Sequence, residues 1–519
     1  MPRDFFQDRY AGLLVPLFSI PSRGSWGIGE LADLPALGSW MSDAGFAFVQ
    51  LLPLNEMAGG QNSPYSALSA MAIDPIFIAP AGVPDLQALG GEAVLSERER
   101  ADLRAVRESP SIDYARVRAL KTAAFRAAFA RFVEHEWRPK TARARRLQRF
   151  TERSRWWLDA YTLFRALHAR FHDRAWTEWD APLRDRNPEA LRAARTELRD
   201  EILFYAYLQW LAADQWADAR ETSEIGVFGD FPFMVSRDSA DVWSRQEDFR
   251  MDASVGAPPD AFSETGQDWG FPAYRWPDVA AGGFQWLAAR ARRNAEIYDA
   301  FRVDHLVGFF RTYVRETDGR AAFVPAAEPD QIRQGERVLE VLSAPGARLI
   351  AEDLGVIPAF VRETLARLGI PGFKVLRWER EWDTEGQPFK PPASYPRSSV
   401  ATSGTHDTET NAQWWEEAEP AERGAVVRIL DPAGLDPGQP FDARVRDAIL
   451  AVLFTSGSDI VLVPIHDVFG WRERINTPAL ISDENWTWRL PWPVEDLQSH
   501  AVAAERAAFI RDLIARSER

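Results

Sequence analysis

Three segments of the chain set carboxylates directly after short apolar runs: Phe301-Arg302-Val303-Asp304-His305, Leu349-Ile350-Ala351-Glu352-Asp353-Leu354-Gly355 and Ser403-Gly404-Thr405-His406-Asp407. Chemistry on a sugar acetal needs carboxylates and little else. Breaking a glycosidic bond passes through an oxocarbenium-like transition state, which calls for a protonated acid at the leaving oxygen and an anion at the anomeric carbon. Two acids in unlike environments supply both roles. Alternation along a strand puts Arg302 and Asp304 on one side, and a guanidinium beside a carboxylate favours the charged form that a nucleophile needs. A purely structural ion pair at a strand end would use the same two residues. Glu352 is the candidate general acid, because neighbouring acids raise a carboxyl pKa; the adjacent Asp353 could instead cap the following helix. His406 suits a hydrogen bond to a sugar hydroxyl, and Asp407 suits the neighbouring hydroxyls of a distorted ring.

His305, His406 and His466 each stand beside an aspartate, which also admits a metal reading. Against it, the chain has no H-x-H pair and no H-E-x-x-H helix. No calcium loop of recognisable spacing is present either. The expectation is therefore no metal and no cofactor, with acid, nucleophile and stabiliser all supplied by side chains.

Residues of this kind work only where several strands end at one place. Apolar, β-branched or aromatic runs that read as buried strands occur at Leu13–Ile20, Phe46–Leu52, Ile225–Gly229, Phe301–Val303, Arg348–Ala351, Phe373–Trp378, Val400–Ser403 and Asp459–Ile465. Amphipathic helical stretches separate several of them, a pattern that implies a parallel sheet with right-handed crossovers. Acids at the carboxyl ends of different strands read as the catalytic face of a β/α barrel. The fold expected is thus α/β, a (β/α)8 TIM barrel over residues 1–519 with helical insertion subdomains.

Residues 80–220 are almost entirely helix-like, with brief breaks at Ser109-Pro110, Arg138-Pro139 and Asn187-Pro188, and read as an insertion between barrel strands two and three. The basic run Lys140–Arg155 is interleaved with Glu and Trp, so a solvated helix face explains it better than a nucleic-acid patch. Residues 230–280 are rich in Pro, Gly and aromatics and read as an irregular active-site wall or lid. The segment Gly27-Ile-Gly29-Glu30-Leu-Ala32 matches G-x-G-x-x-A, but a Pro21-to-Trp26 loop intervenes after the strand. A glycine-rich turn at the barrel mouth is therefore favoured over a dinucleotide site.

The formal charge of −15 disfavours nucleic acid, anionic membranes and polyphosphates as partners and suits a neutral substrate. With no cysteine, disulfides, thiolate metal sites and cysteine nucleophiles are excluded, as befits a reducing cytoplasm. No apolar stretch approaches the roughly 18 residues of a membrane helix. The 21 tryptophans exceed what a core needs, and the indole's flat apolar body with one N–H suits a sugar face. Trp156, Trp157, Trp210 and Trp216, in helical stretches, are better read as packing residues.

Taken together, the chain resembles the amylomaltase family, the 4-alpha-glucanotransferases of the α-amylase superclan. The resemblance runs from Gly24-Ser-Trp-Gly-Ile-Gly-Glu30 and Ser63-Pro-Tyr65 through Gly229-Asp230-x-Pro232, Ser239-Ala-Asp-Val-Trp243, Pro258-Pro-Asp260-x-Phe262-Ser-Glu-Thr-Gly-Gln267 and Arg302-x-Asp304-His305. It continues through Ala351-Glu-Asp-Leu-Gly355 and Thr405-His-Asp407 to Asn476-Thr-Pro478 and Asn485-Trp486. It implies Asp304 as nucleophile, Glu352 as acid/base and Asp407 as transition-state stabiliser, with Arg302, His305 and His406 around the donor sugar. It further implies that Tyr65, Asp230, Asp260, Trp269 and Asn476 line the glucan site. The partners implied are α-1,4-glucans and maltooligosaccharides, the chain acting as a monomer or weak homo-oligomer. Hydrolysis of the same glucans is the rival activity, and a non-catalytic glucan-binding protein the rival from another class. The chain departs from the family pattern at Leu306-Val307-Gly308, where Phe-Arg-Gly is usual, at Thr408, where Asn is usual, and at Gly319–Glu328, where an aromatic-glycine loop is common.

Overall fold

The computed structural model describes residues 8–259, 266–430, 434–478, 480 and 482–519. Its strands are β1 Tyr10–Leu14, β2 Phe48–Gln50, β3 Asn55–Met57, β4 Ala67–Ile73, β5 Gly226–Phe231, β6 Phe249–Ala257, β7 Gln267–Tyr274, β8 Ala300–Val303, β9 Thr312–Glu316, β10 Ala321–Val324, β11 Arg348–Ala351, β12 Gly372–Val375, β13 Ser399–Thr402 and β14 Ile460–Pro464. Eight of them close into a barrel in the order β1-β14-β13-β12-β11-β8-β5-β2, every neighbouring pair parallel. These are the eight runs read from the sequence. Parallel strands need crossovers, and the helices that supply them cover the outside, so each strand is buried on both faces and reads as a continuous apolar run.

Barrel closure leaves little room inside. Gly12 lies in register with Phe48, and a Cβ there would sit 2.3 Å from two atoms of the Phe48 ring, which itself stacks on Phe228 at 4.0 Å between centroids. The first strand departs from its expected bounds: it begins at Tyr10 and stops at Leu14 rather than running from Leu13 to Ile20. Pro16 is the reason, since it has no N–H for the ladder; Leu17–Ser19 instead form a buried 3-10 turn.

Between β4 and β5 the chain is helical, with long helices at Glu97–Glu108, Tyr114–Phe132, Ala142–Arg170 and Arg199–Thr222. Their starts carry the usual side-chain acceptors for unpaired N–H groups: Ser96 with Glu99 as a capping box, then Asp113 and Thr141. Arg143 and Arg146, from the basic run, reach Asp85 and Asp214, and the run otherwise lies on a helix face that alternates buried and exposed positions. Trp157, Trp210 and Trp216 are buried, and Trp156 lies under the Arg292 guanidinium at 4.5 Å.

Asp85 joins these helices. Fully buried, it accepts both terminal nitrogens of Arg143 (2.9 and 2.8 Å), Arg131 at 3.1 Å and the Tyr207 hydroxyl at 2.9 Å, one partner from each of the three longest helices named here. Removing a buried carboxylate strands its cationic partners, at a cost of about 3 kcal/mol when, as here, the arginines keep some solvent. Asp85→Ala should lower the melting temperature by several degrees, whereas Arg146→Ala on the exposed Asp214 pair should leave it nearly unchanged. Thermal unfolding followed by circular dichroism checks both.

Residues 230–280, expected to be irregular, are partly ordered as sheet. Strands β6 and β7 pair with β9 and β10 in an antiparallel sheet of order β10-β9-β6-β7 beside the barrel. Register shifts between Arg250 and Ser254 and between Ser254 and Gly256 break the two-residue alternation by which a strand announces itself. The glycine-rich turn after β1 is filled by its own chain: Glu30 accepts the Trp26 N–H at 2.9 Å and pairs with the buried Lys121 at 2.6 Å. Among the described residues, no helix is long and apolar enough to cross a membrane.

Candidate active site

The carboxyl ends of β5, β8, β11 and β13 open toward one mouth of the barrel, and the acids stand there. Alternation along β8 turns Arg302 and Asp304 to the same side. The Arg302 guanidinium, buried, forks between two strands: Nη1 donates to Asp230 Oδ2 at the end of β5 (2.6 Å), and Nη2 lies 3.0 Å from Asp304 Oδ1. Asp230 Oδ2 also accepts the Tyr65 hydroxyl at 2.7 Å.

Tyr65 comes from the turn of the β3-β4 hairpin, which the helical insertion holds in place. Asp74, after β4, is buried and takes both terminal nitrogens of Arg118 at 2.9 and 2.6 Å as well as the Met57 N–H at 3.0 Å. Glu56 accepts the Tyr161 hydroxyl at 2.6 Å and pairs with Arg165 at 3.2 Å. Two insertion helices thereby carry the hairpin against the barrel mouth.

Past Asp304 the backbone turns sharply. His305 has φ of 43°, in the left-handed region that costs a non-glycine residue on the order of 1 kcal/mol. That turn aims its N–H at Glu352 Oε2, 2.7 Å away, while the Glu352 N–H donates to the Val303 carbonyl at 3.1 Å. The ends of β8 and β11 are so tied together. The His305 ring meets Trp269 edge-on at 4.7 Å and Phe233 at 5.4 Å between centroids. Close packing here requires Gly308, where a Cβ would lie 2.7 Å from both the His305 Cδ2 and the Phe233 Cζ atoms.

The loop after β13 is pinned from several sides. Thr408 Oγ1 accepts the Thr405 N–H at 2.9 Å and donates to its carbonyl at 3.1 Å, so this residue closes the turn. Asp467 accepts the Ser403 hydroxyl at 2.6 Å and the Asn411 N–H at 2.8 Å. His406 is buried beneath Tyr65, ring stacked on ring at 5.3 Å, with Trp486 tilted at 5.7 Å from both. Asp407 Oδ2 lies 3.3 Å from His406 Nε2, Oδ1 accepts the Asn476 amide at 2.6 Å, and its backbone carbonyl accepts Arg474 at 2.7 Å.

Environment separates the acids. Burial pushes the Glu352 carboxyl up, Asp304 adds to this and Arg302 opposes it, with the balance at about 7. For Asp407 burial also acts upward, but His406, the Asn476 amide and Arg302 together outweigh it and hold the group at about 2. Near neutrality one carboxyl is thus half protonated while another stays anionic, the division of labour that acetal chemistry needs. Burial raises Asp230 to about 6, the Asp304 charge helping and Arg302 opposing. Burial lowers His305 to about 4 in spite of Asp304, so its ring is neutral.

Arg302, Asp304, His305, Glu352, Asp230, Tyr65, His406, Asp407 and Asn476 form one connected network, and Trp269 joins through the His305 ring. Asp260 lies outside the described residues. Asp353 does not cap the next helix: its Oδ1 accepts the Phe373 N–H at 2.7 Å and so ties β11 to β12. His466 does not join His305 in one cluster but packs on Trp488 at 4.0 Å. Sequence reasoning did not single out Phe233, Arg474 or Trp486 as site residues; the dense Asn485-Trp486-Thr487-Trp488 run was the available signal for the last.

Comparison with known proteins agrees with this geometry. Residues 15–495 match the family model described as 4-alpha-glucanotransferase, of glycoside hydrolase family 77. The 4-alpha-glucanotransferase of Chlamydia pneumoniae is 33% identical over 503 residues, 94% of this chain and 93% of its own; that of Thermus thermophilus is 33% identical over 517 residues, 94% and 95%. The solved amylomaltase of Streptococcus agalactiae in complex with acarbose superposes with a TM-score of 0.81 at 26% identity, covering 98% of this chain and 99% of that one. On the strength of a closed barrel, a mouth ringed by acids and matches along almost its whole length, this chain belongs to the amylomaltase family of 4-alpha-glucanotransferases.

Proposed function

We propose that this enzyme transfers α-1,4-glucan segments between maltooligosaccharides by a retaining double displacement, with Asp304, Glu352 and Asp407 as its working acids. An Asp304 oxygen attacks the anomeric carbon; the bond from that carbon to the leaving oxygen breaks, and the leaving oxygen takes the Glu352 proton. The released glucan departs, leaving a glycosyl ester on Asp304. The 4-hydroxyl of a second glucan then gives its proton to Glu352, and its oxygen attacks the same carbon, freeing the Asp304 carboxylate. Asp407, held anionic, faces the positive charge that builds on the ring in both steps.

Arg302, His406, Asn476, Asp230 and Tyr65 bind the donor sugar's hydroxyls in this reading, Asp260 belongs to the same glucan site, and Trp269 with His305 offers an apolar wall. The observation that carries it is the His305 N–H on Glu352 Oε2, which couples an acid of raised pKa to the strand end bearing Asp304. The chain then works in the cytoplasm as a monomer or weak homo-oligomer, without nucleic acid or membrane partners.

Transfer differs from hydrolysis only in what intercepts the ester. Incubation with maltotriose distinguishes them: transfer yields glucose together with oligomers longer than the starting sugar, whereas hydrolysis yields shorter products alone. A product profile devoid of longer oligomers would overturn the transfer reading.

A further inference from the structure

His406 shares a small cavity with a second imidazole. The ring of His466, in the short helix Ile465–Phe469 after β14, is buried, and both rings line a space of about 10 Å³ behind the β13 loop. His406 Nδ1 and His466 Nε2 are each buried, and neither has a hydrogen-bond partner among the described residues. A buried ring nitrogen without a partner is costly. A polar cavity of this size holds one water, provided two to four polar groups face it. Thr410 lines the same space; its hydroxyl oxygen accepts the Gln413 N–H at 3.3 Å.

We propose that one buried water, held by His466 Nε2, donates its second hydrogen to His406 Nδ1 and so keeps the His406 proton on Nε2, facing Asp407. In this arrangement the neutral ring places its N–H on Nε2, 3.3 Å from Asp407 Oδ2, which leaves Nδ1 as an acceptor. Burial pushes His466 down to about 3 and keeps it neutral, and in the tautomer with its proton on Nδ1 the Nε2 atom is an acceptor too. Water has two hydrogens to give and serves both nitrogens, with Thr410 available to donate to its oxygen. Two acceptors cannot hydrogen-bond to each other directly. His466 acts through the water and His406, as a positioning residue.

The inference rests on reading Asp407 as the transition-state stabiliser. Its test uses His466→Phe, which fills the space without a ring nitrogen, and His466→Gln, whose amide restores a polar partner. In maltotriose disproportionation, His466→Phe should lower kcat roughly tenfold with KM within roughly twofold, and His466→Gln should recover most of the loss. A high-resolution crystal structure of the wild-type enzyme should show a water within hydrogen-bond distance of both nitrogens. Selective 15N-histidine spectra should show His406 Nδ1 unprotonated. A folded His466→Phe with wild-type kcat, equal losses in Phe and Gln, a dry cavity, or a proton on Nδ1 would each overturn the proposal. Should the Phe variant not fold, the wild-type crystal and spectra decide alone. A wild-type enzyme without transfer activity but with the water in place would instead overturn the function and leave the site standing.

Discussion

Asp304→Asn abolishes turnover: kcat for maltotriose disproportionation falls by at least about 10⁴-fold, because an amide forms no glycosyl ester and removal of a nucleophile forfeits the whole covalent route. The substitution is nearly isosteric, and Arg302 keeps its stronger contact to Asp230, so the fold and the affinity for a long maltooligosaccharide should change little. Initial rates together with calorimetric binding of maltoheptaose separate the two effects. Retention of more than about one hundredth of the wild-type rate would sink the assignment of Asp304, as would loss of binding in parallel with loss of rate.

Glu352→Gln should cost about 10³-fold in kcat, at the middle of the range for general acid–base catalysis. The wild-type pH profile carries the sharper signature. As the proposed acid, Glu352 has to be protonated to release the leaving group, and its carboxyl is raised by burial to about 7. On the alkaline side, activity therefore falls about tenfold per pH unit above that value. In Glu352→Gln the residual rate loses this alkaline limb. The stability contribution of this carboxyl also falls with rising pH. A carboxyl whose folded pKa is raised contributes most below its ordinary value of 4.5, and that contribution is lost as pH rises through about 7, where the folded state must carry a buried charge. Glu352→Gln is thus expected to melt higher than wild type at pH 8, by an amount on the order of 2 kcal/mol, and to lose the advantage below pH 4.5. A flat wild-type profile between pH 6 and 8 would refute the acid/base assignment.

What the amino-acid order determined unaided is local. Each barrel strand is a short apolar run that declares itself within about ten residues; Asp304 and Glu352 follow such runs directly and Asp407 lies in the loop just after one, so strand identity and the acids' places near strand ends could be read together. The helix caps at Ser96, Asp113 and Thr141 are local in the same way, each satisfied by an N–H three residues on. Pro16 was legible as well, and overlooking it misplaced the end of β1.

Tertiary structure decided whatever depends on chain far away. Strands β6 and β9 pair across some sixty intervening residues, and register shifts hid the alternation that would have revealed β6 and β7. Tyr65 reaches His406 only because insertion helices grip its hairpin through Asp74 and Glu56. The sequence set Glu352 apart from Asp353 as the candidate proton donor, but no pattern in Ala-Glu-Asp-Leu-Gly expresses that Asp353 clamps the Phe373 N–H instead of capping a helix. Above all, two carboxyls of similar intrinsic acidity were driven apart, Glu352 to about 7 and Asp407 to about 2. Burial and neighbouring charge set those values, and both are properties of the folded surroundings, not of the residue or its neighbours in sequence.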